Sequence, residues 1–292
     1  MRLNLWLLIV LFLITVITAC EDDPLKQVNV DDTVIDYTSK RLDRDIFSAD
    51  FGAPEAARQT LYHKYGEFIC RYVQDILKVG RCEDSLAFRN IALFTHSGGM
   101  VRIEEAIDSL FTDEKISVYD QEFRKGLQYW HHYFPDSVVP GVVYMHSGLN
   151  YLAFATDSSI GIGLDFYLGA DHPLVQEFPP DFVPNYVKED MDDKYLVANG
   201  LRDWVYMRTL TYETGDNLLD RIIFEGKRMY LLDALMPEVA DSIKMNWTVE
   251  EALWAESNEG QIWEELAKQE VLFNDNPLDI AKWTDPAPFT AA

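Results

Sequence analysis

The residues whose types and spacing suggest chemistry include a pair in the segment YLVANGLRDWVYM, residues 195–207. Asn199 and Asp203 are four residues apart, so a helix would place an amide and a carboxylate on the same face. Farther along the chain, Glu225 precedes Gly226 in a second helical pattern. Zinc prefers imidazole or thiolate ligands, and the first segment contains no histidine. Asn199, Asp203 and Glu225 are therefore candidates for a binding cleft rather than for a catalytic metal site.

Asp165 is the fourth candidate for the cleft, because it interrupts the apolar run IGIGLDF. A carboxylate in such a run is expected to be buried at least in part, and a buried carboxylate needs a partner. Arg202 and Lys227 are the candidate partners. A buried ion pair that fixes the sheet against a helix is favoured over catalysis at this position.

The histidines and the glycine-rich segments carry weaker signals. His131 and His132 end an amphipathic helical pattern, and adjacent helical residues point about 100° apart, so the two do not face one metal. His146 falls in a strand pattern, where a structural role is favoured. HSGG, residues 96–99, indicates a turn, and no phosphate-binding loop of the type GxxxxGKS/T is present. We therefore predict no catalytic residue, no metal and no cofactor.

The hydrophobic periodicity predicts a chain that is mostly helical. Helical patterns cover residues 55–79, 84–95, 101–111, 115–134, 182–190, 193–210 and 217–235, and capping patterns begin further helices at Thr248 and Asn258. Short β-rich segments at 138–147, 151–156 and 160–166 indicate two or three antiparallel strands. Trp254 and Trp263 fall at helical spacing and are expected in the core. The predicted fold class is α+β: a single, mostly α-helical domain with a small antiparallel sheet.

The first residues predict export and lipidation. One basic residue, Arg2, precedes an apolar run over 5–17, which is well short of the about 20 residues that span a bilayer. Cys20 follows almost directly, in a pattern similar to the bacterial lipobox, whose cysteine is acylated. An incidental cysteine behind an ordinary signal peptide is the alternative. We predict a signal peptide at 1–19, a lipidated, polar and flexible linker at 20–36 and a folded domain at 37–292.

The formal net charge of −24 narrows the classes of partner. An acidic field of this size repels phosphate backbones, so we expect no nucleic acid partner. The same field suits cations and basic proteins, and it also keeps a chain soluble.

Cys70 and Cys82 are the two cysteines that remain after Cys20. Export to an oxidising compartment would permit a disulfide between them. A continuous helix over 55–79 would hold the sulfurs apart, so the spacing disfavours a bridge without excluding it.

Six segments follow one another in this order: KRLDRDIFSAD (40–50), YWHHYFP (129–135), VPGVVYMHSG (139–148), IGIGLDFYLGAD (160–171), FEGKRMYLLDALMP (224–237) and TVEEALWAESNEGQIWEEL (248–266). Together and in this order, they resemble the gliding-motility lipoprotein GldB family of the Bacteroidetes. The resemblance covers about residues 36–289. Family members usually continue into a Gly/Trp-rich C-terminal helix, so we expect this chain to be truncated or to lack that helix.

The resemblance implies an outer-membrane lipoprotein, acylated with chains such as palmitate, in a gliding assembly that also involves type IX secretion. It supplies no biochemical activity. The order of elements also resembles zincin-type metallopeptidases, although the His-Glu-x-x-His motif of those enzymes is missing from the matching helix. The fold that this second resemblance implies is a zincin-like scaffold.

Three functional hypotheses follow. The first is a non-enzymatic outer-membrane lipoprotein that faces the periplasm or the cell surface and binds another envelope protein. The second is an atypical zincin-like metallopeptidase. The third is a lipoprotein that binds an envelope glycan or peptide.

Overall fold

The computed structural model describes residues 24–210 and 215–284. The predicted signal peptide at 1–19, the predicted lipidation at Cys20 and the departure from the family at the C-terminus lie outside these residues. Within them, no helix has both the length and the apolar composition that crossing a membrane requires.

A small mixed sheet lies at the centre of the fold. Its strands are β1 (Ser39–Arg41), β2 (Gly141–Met145), β3 (Ala153–Ala155) and β4 (Ser159–Gly163). The spatial order is β1-β2-β4-β3, with β2 parallel to both β1 and β4 and β3 antiparallel to β4. The α+β class and the three central strands are confirmed. The antiparallel prediction is right for β3 and β4 and wrong for β2 and β4, which pair in parallel, and β1 was not predicted.

Helices make up most of the described chain. They are α1 (Leu42–Ser48), α2 (Pro54–Tyr65), α3 (Glu67–Arg71), α4 (Ser85–Thr95), α5 (Gly98–Leu110), α6 (Asp113–Tyr133), α7 (Pro173–Glu177), α8 (Asn185–Glu189), α9 (Leu196–Thr209), α10 (Leu218–Leu235), α11 (Asp241–Met245), α12 (Val249–Lys268) and α13 (Pro277–Thr284). A π-helical turn, Tyr72–Ile76, continues α3, and short 3-10 helices lie at Pro24–Gln27, Leu164–Tyr167 and Asp193–Tyr195.

The sheet is covered by helices on both faces, because successive strand residues point to opposite sides. Val142 and Tyr144 of β2 enter a core that α5, α6, α9 and α10 also line. Val143 and Met145 enter a second core, with α1, α2, α4 and the π turn. Each fully buried aliphatic or aromatic side chain in these cores contributes roughly 2 kcal/mol.

Helix α9 lies close against the sheet because of a glycine. A Cβ atom on Gly200 would lie 2.8 Å from ring atoms of Phe123 and 2.8 Å from Ile162 of β4. A larger residue there would push α9 away from both neighbours. Trp204, one turn further along α9, is fully buried in the same core.

The predicted linker is not free along its whole length. Val30 is buried in the core beside α6, and the hydroxyl of Tyr129 donates to the carbonyl of Val28 at 3.1 Å. The amide of Gln128 donates to the carbonyl of Thr33 at 2.8 Å. Residues 28–33 therefore pack on the domain, which corrects the prediction of a flexible tether over this stretch.

The predicted helix over 55–79 is broken, and the break permits a disulfide. Gly66, with φ +57°, ends α2. After the π turn, Lys78 at φ 54° and Gly80 at φ 143° reverse the chain. Cys70 and Cys82 are consequently joined, with their Cα atoms 4.9 Å apart. The spacing disfavoured the bridge because it required a sharp reversal after the helix, and Lys78 and Gly80 provide that reversal.

The C-terminal helices differ from the prediction in where one helix begins and in whether two tryptophans are buried. Thr248 and Glu251 form the predicted capping box at the start of α12. Asn258, predicted to begin another helix, lies inside α12, and its amide donates to the carbonyl of Trp254 at 2.7 Å. Trp254 and Trp263 are 61% and 39% exposed, so neither belongs to the core that we expected.

The disulfide generates the first prediction. Replacing Cys70 and Cys82 together by alanine should lower the free energy of unfolding by about 3 kcal/mol, because a closed loop restricts the unfolded chain. Urea unfolding with and without dithiothreitol measures the effect. The reductant should destabilise the wild type by a similar amount and leave the double variant unchanged. Equal stability of oxidised and reduced wild type would contradict the prediction.

Candidate functional site

A cleft of about 690 Å³ lies between the edge strand β3 and the C-terminal half of α9. Its walls combine aromatic and acidic side chains with the turn that joins β3 to β4. The lining residues are Glu67, Arg71, Tyr151, Ala153, Phe154, Ala155, Thr156, Asp157, Ser158, Asp203, Tyr206, Met207 and Leu210. The cleft is thus open to a ligand along an unpaired strand edge.

Asp203 lies on the unpaired edge of β3. The opposite edge is bonded to β4, where Gly163 N–H donates to the Leu152 carbonyl at 3.0 Å. Ala155 N–H points the other way and donates to the Asp203 carboxylate at 3.0 Å. Burial raises the pKa of Asp203 above its ordinary value. The carboxylate therefore caps one outward backbone donor of the edge strand, which is one way in which proteins protect such edges.

Asn199, one turn before Asp203, serves the interior of the protein. Its amide nitrogen donates to the hydroxyl of Tyr167 at 3.0 Å, and its amide oxygen accepts from Arg202. Arg202 also donates to the carbonyl of Lys244 at 3.2 Å, and burial lowers the pKa of its guanidinium. Asn199 therefore ties α9 to neighbouring segments, and it does not line the cleft.

Glu225 lies on the exposed side of α10, away from the cleft. Its carboxylate accepts from Arg228 at 2.5 Å, and Arg228 in turn donates to the hydroxyl of Thr209 at 2.9 Å. Among residues 24–210 and 215–284, no three His, Cys, Asp or Glu side chains are grouped so that they could hold a metal ion. Asp203 and Glu225 therefore do not form the core of a metal site in this part of the chain.

Asp165 is fully buried, and its partners differ from those predicted. Its carboxylate accepts from Ser147 N–H and from the Ser147 hydroxyl, both at 2.9 Å, and from Leu149 N–H at 2.5 Å. The predicted pairing with Arg202 or Lys227 is wrong, because a turn after β2 wraps its backbone donors around the carboxylate. Gly148 at φ +69° makes this turn possible.

His146 and Ser147 stand beside Asp165 but do not form a nucleophilic triad with it. The Ser147 hydroxyl donates to Asp165 rather than to the imidazole. His146 Nδ1 accepts from Gly148 N–H at 3.1 Å, so its Nε2 carries the proton and faces the Met100 carbonyl at 3.3 Å. Burial lowers the pKa of His146, which favours this neutral form. All three side chains are fully buried, which leaves a substrate no access.

Glu104 is a buried carboxylate that the sequence analysis missed. It lies between the core residues Ile103 and Ile107 of α5, and neither of its oxygens has a hydrogen-bond partner in the described chain. Burial, and after it the nearby charge of Asp43, raise its pKa to about 8. Position 104 is next to a core residue on α5, so the helical pattern could have indicated that it is buried. A glutamate is ordinarily expected on the surface, and this expectation concealed the burial.

The unusual pKa of Glu104 generates a prediction about pH. The folded value lies above the ordinary one, so the stability from the neutral carboxyl is complete at low pH and is lost as pH rises towards 8. Between pH 5 and pH 9, the ionisation of Glu104 should lower the free energy of unfolding of the wild type by roughly 2 to 4 kcal/mol. Glu104→Gln should abolish this decrease.

Urea unfolding at both pH values gives the measurement. Glu105, exposed on the same helix, provides the matched control, and Glu105→Gln should keep the wild-type pH dependence. A Glu104→Gln protein with the same pH dependence as the wild type would show that Glu104 titrates normally.

Comparison with known families gives one result that covers the domain. A family model described as gliding motility protein GldB matches residues 23–292. Comparison with curated proteins and with solved structures gave no match. The match spans both cores, the sheet and the cleft, and it confirms the family that the sequence resembles. The chain therefore belongs to the GldB family of gliding motility proteins.

Proposed function

We propose that the chain is a non-enzymatic lipoprotein that is held at the outer membrane by acylated Cys20 and binds another envelope protein of the gliding assembly. Family membership supports the link to gliding motility. The proposed anchor leaves the domain free to face the periplasm or the cell surface, and it brings the domain close to type IX secretion components. Binding, rather than turnover, is the proposed contribution of the domain.

One observation carries the non-enzymatic part of the proposal: the candidate polar groups are occupied by the chain itself. Asp203 caps Ala155, Asn199 bonds Tyr167 and Arg202, and Asp165 bonds the turn after β2. Groups that bind other parts of their own chain hold a structure in place, whereas a catalytic group needs an orientation towards a reacting atom.

The cleft itself favours a second candidate function, the binding of a glycan or an extended peptide. Tyr151 and Phe154 pack edge to face with ring centroids 5.8 Å apart, and Tyr206 on the opposite wall is 48% exposed. Aromatic faces beside a few polar groups suit sugar rings and peptide side chains alike. Under this alternative the domain is still a binding module. The two candidate functions differ only in the ligand, which is an envelope protein in the first and a glycan or an extended peptide in the second.

The proposal predicts that the purified chain carries a protein partner and no bound metal. The full chain, tagged and expressed in a gliding Bacteroidetes host, should be recovered from the outer-membrane fraction with one envelope protein in constant ratio. Cys20→Ser should release the tagged chain from that fraction, because the acyl chains are gone. Quantitative mass spectrometry of both preparations gives the measurement.

Two results would overturn it. Stoichiometric zinc in the purified chain, lost in Asp203→Ala, would restore the metallopeptidase hypothesis. Saturable binding of an envelope glycan, without any co-purified protein, would favour the second candidate.

A further inference from the structure

Helix α12 covers little of its own apolar surface. It runs from Val249 to Lys268, and Leu266 is its one buried residue. A helix on a globular protein ordinarily buries a continuous apolar stripe. Here large apolar side chains face outward instead, with Val249 62%, Leu253 56% and Trp263 39% exposed.

These side chains share one face of the helix. Val249, Leu253, Gly260, Trp263 and Ala267 are separated by steps of three, four or seven residues, which keep them on one side of an α-helix. We call this set the α12 stripe. Glu256 lies on the same side, between Leu253 and Gly260. A Cβ atom on Gly260 would meet nothing within 4 Å, so the surface of the stripe has an open depression at its middle. Such a depression can receive a side chain from another helix.

A cavity of about 580 Å³ opens beside the N-terminal end of the stripe. Trp247, Val249 and Leu253 give it an apolar wall, and Glu256 gives it an acidic rim. An apolar pocket at one end of a stripe is the kind of place where a large anchoring side chain inserts.

The charge around the stripe determines what can bind there. Glu250, Glu256, Glu259 and Glu264 lie on α12, and within 24–210 and 215–284 no ion pair neutralises them. The whole chain carries −24, so a second copy or an anionic bilayer would be repelled. A partner rich in Lys and Arg would be attracted, and it would replace solvent along the apolar face.

We propose that the α12 stripe docks a basic amphipathic helix of a partner protein, which packs apolar residues along the stripe and places Lys or Arg against Glu256 and the glutamates on either side. This inference rests on the proposed function and specifies the partner's binding element. Helix-on-helix docking suits the site because α12 offers roughly 30 Å of regular surface.

A photo-crosslinking experiment tests this docking in the cell. A photoreactive phenylalanine at position 263 of the full chain should capture a protein partner, and mass spectrometry should map the crosslinked peptide to a basic amphipathic helix. The same group at Leu278, 77% exposed and outside α12, is the matched control and should not capture it. A crosslink to lipid, to a second copy or to an acidic segment would overturn the proposal.

A binding measurement with a defined probe completes the test. A synthetic Leu/Lys amphipathic helix should bind the purified chain saturably, and its Leu/Glu counterpart should not. Leu253→Ser with Trp263→Ser should weaken binding at least about tenfold, whereas Phe273→Ser with Leu278→Ser should not. Equal binding to both double variants would overturn the docking site. If the outer-membrane recovery yields a partner but position 263 captures none, only the docking site fails; if it yields none, the proposed function fails.

Discussion

A buried carboxylate surrounded by backbone donors is the constraint on which the remaining architecture depends. Asp165 follows β4 directly, and it binds the N–H groups of Ser147 and Leu149 just after β2. The ends of two parallel strands are thereby held together, and the chain between them must return along the free side of β4 as β3. The cleft beside α9 exists because β3 is held at that edge. Removing the carboxylate would leave two backbone donors and the Ser147 hydroxyl without this partner, which costs far more than one lost contact.

Two glycines allow close packing at the sheet, one beside Asp165 and the other on α9. A Cβ atom on Gly163 would lie 2.0 Å from the carbonyl of Tyr151 and 3.2 Å from Asp165. Gly200 allows α9 to approach the opposite face of the sheet. Both positions read as ordinary small residues in the sequence, because close approach between distant segments leaves no local pattern.

The parts of the fold that were predictable from the sequence are those that local periodicity determines. The long helices α6 and α10, the capping box at Thr248 and the three central strands were predicted near their observed positions. Strand β1 was missed because Ser39, Lys40 and Arg41 have no apolar alternation, and parallel pairing was missed because strand direction depends on the path between strands. For the candidate site, sequence reasoning found polar residues that are buried, but it could not choose their partners. Asp165 binds a turn rather than a cation, and Glu104, which is buried and has no hydrogen-bond partner in the described chain, was not identified from the sequence.

The bond between Cys70 and Cys82 forms only when both thiols are oxidised, so one part of the fold depends on a reaction that follows synthesis. The segment it closes supplies Tyr72, whose hydroxyl donates to the carbonyl of His146 at 2.8 Å and so supports the turn that holds Asp165. While the two thiols stay reduced, this support rests on a segment that opens more easily. Once oxidation closes the loop, the same segment resists being pulled apart. The disulfide therefore makes the support of the Asp165 turn depend on the redox state of the surroundings in which the chain folds.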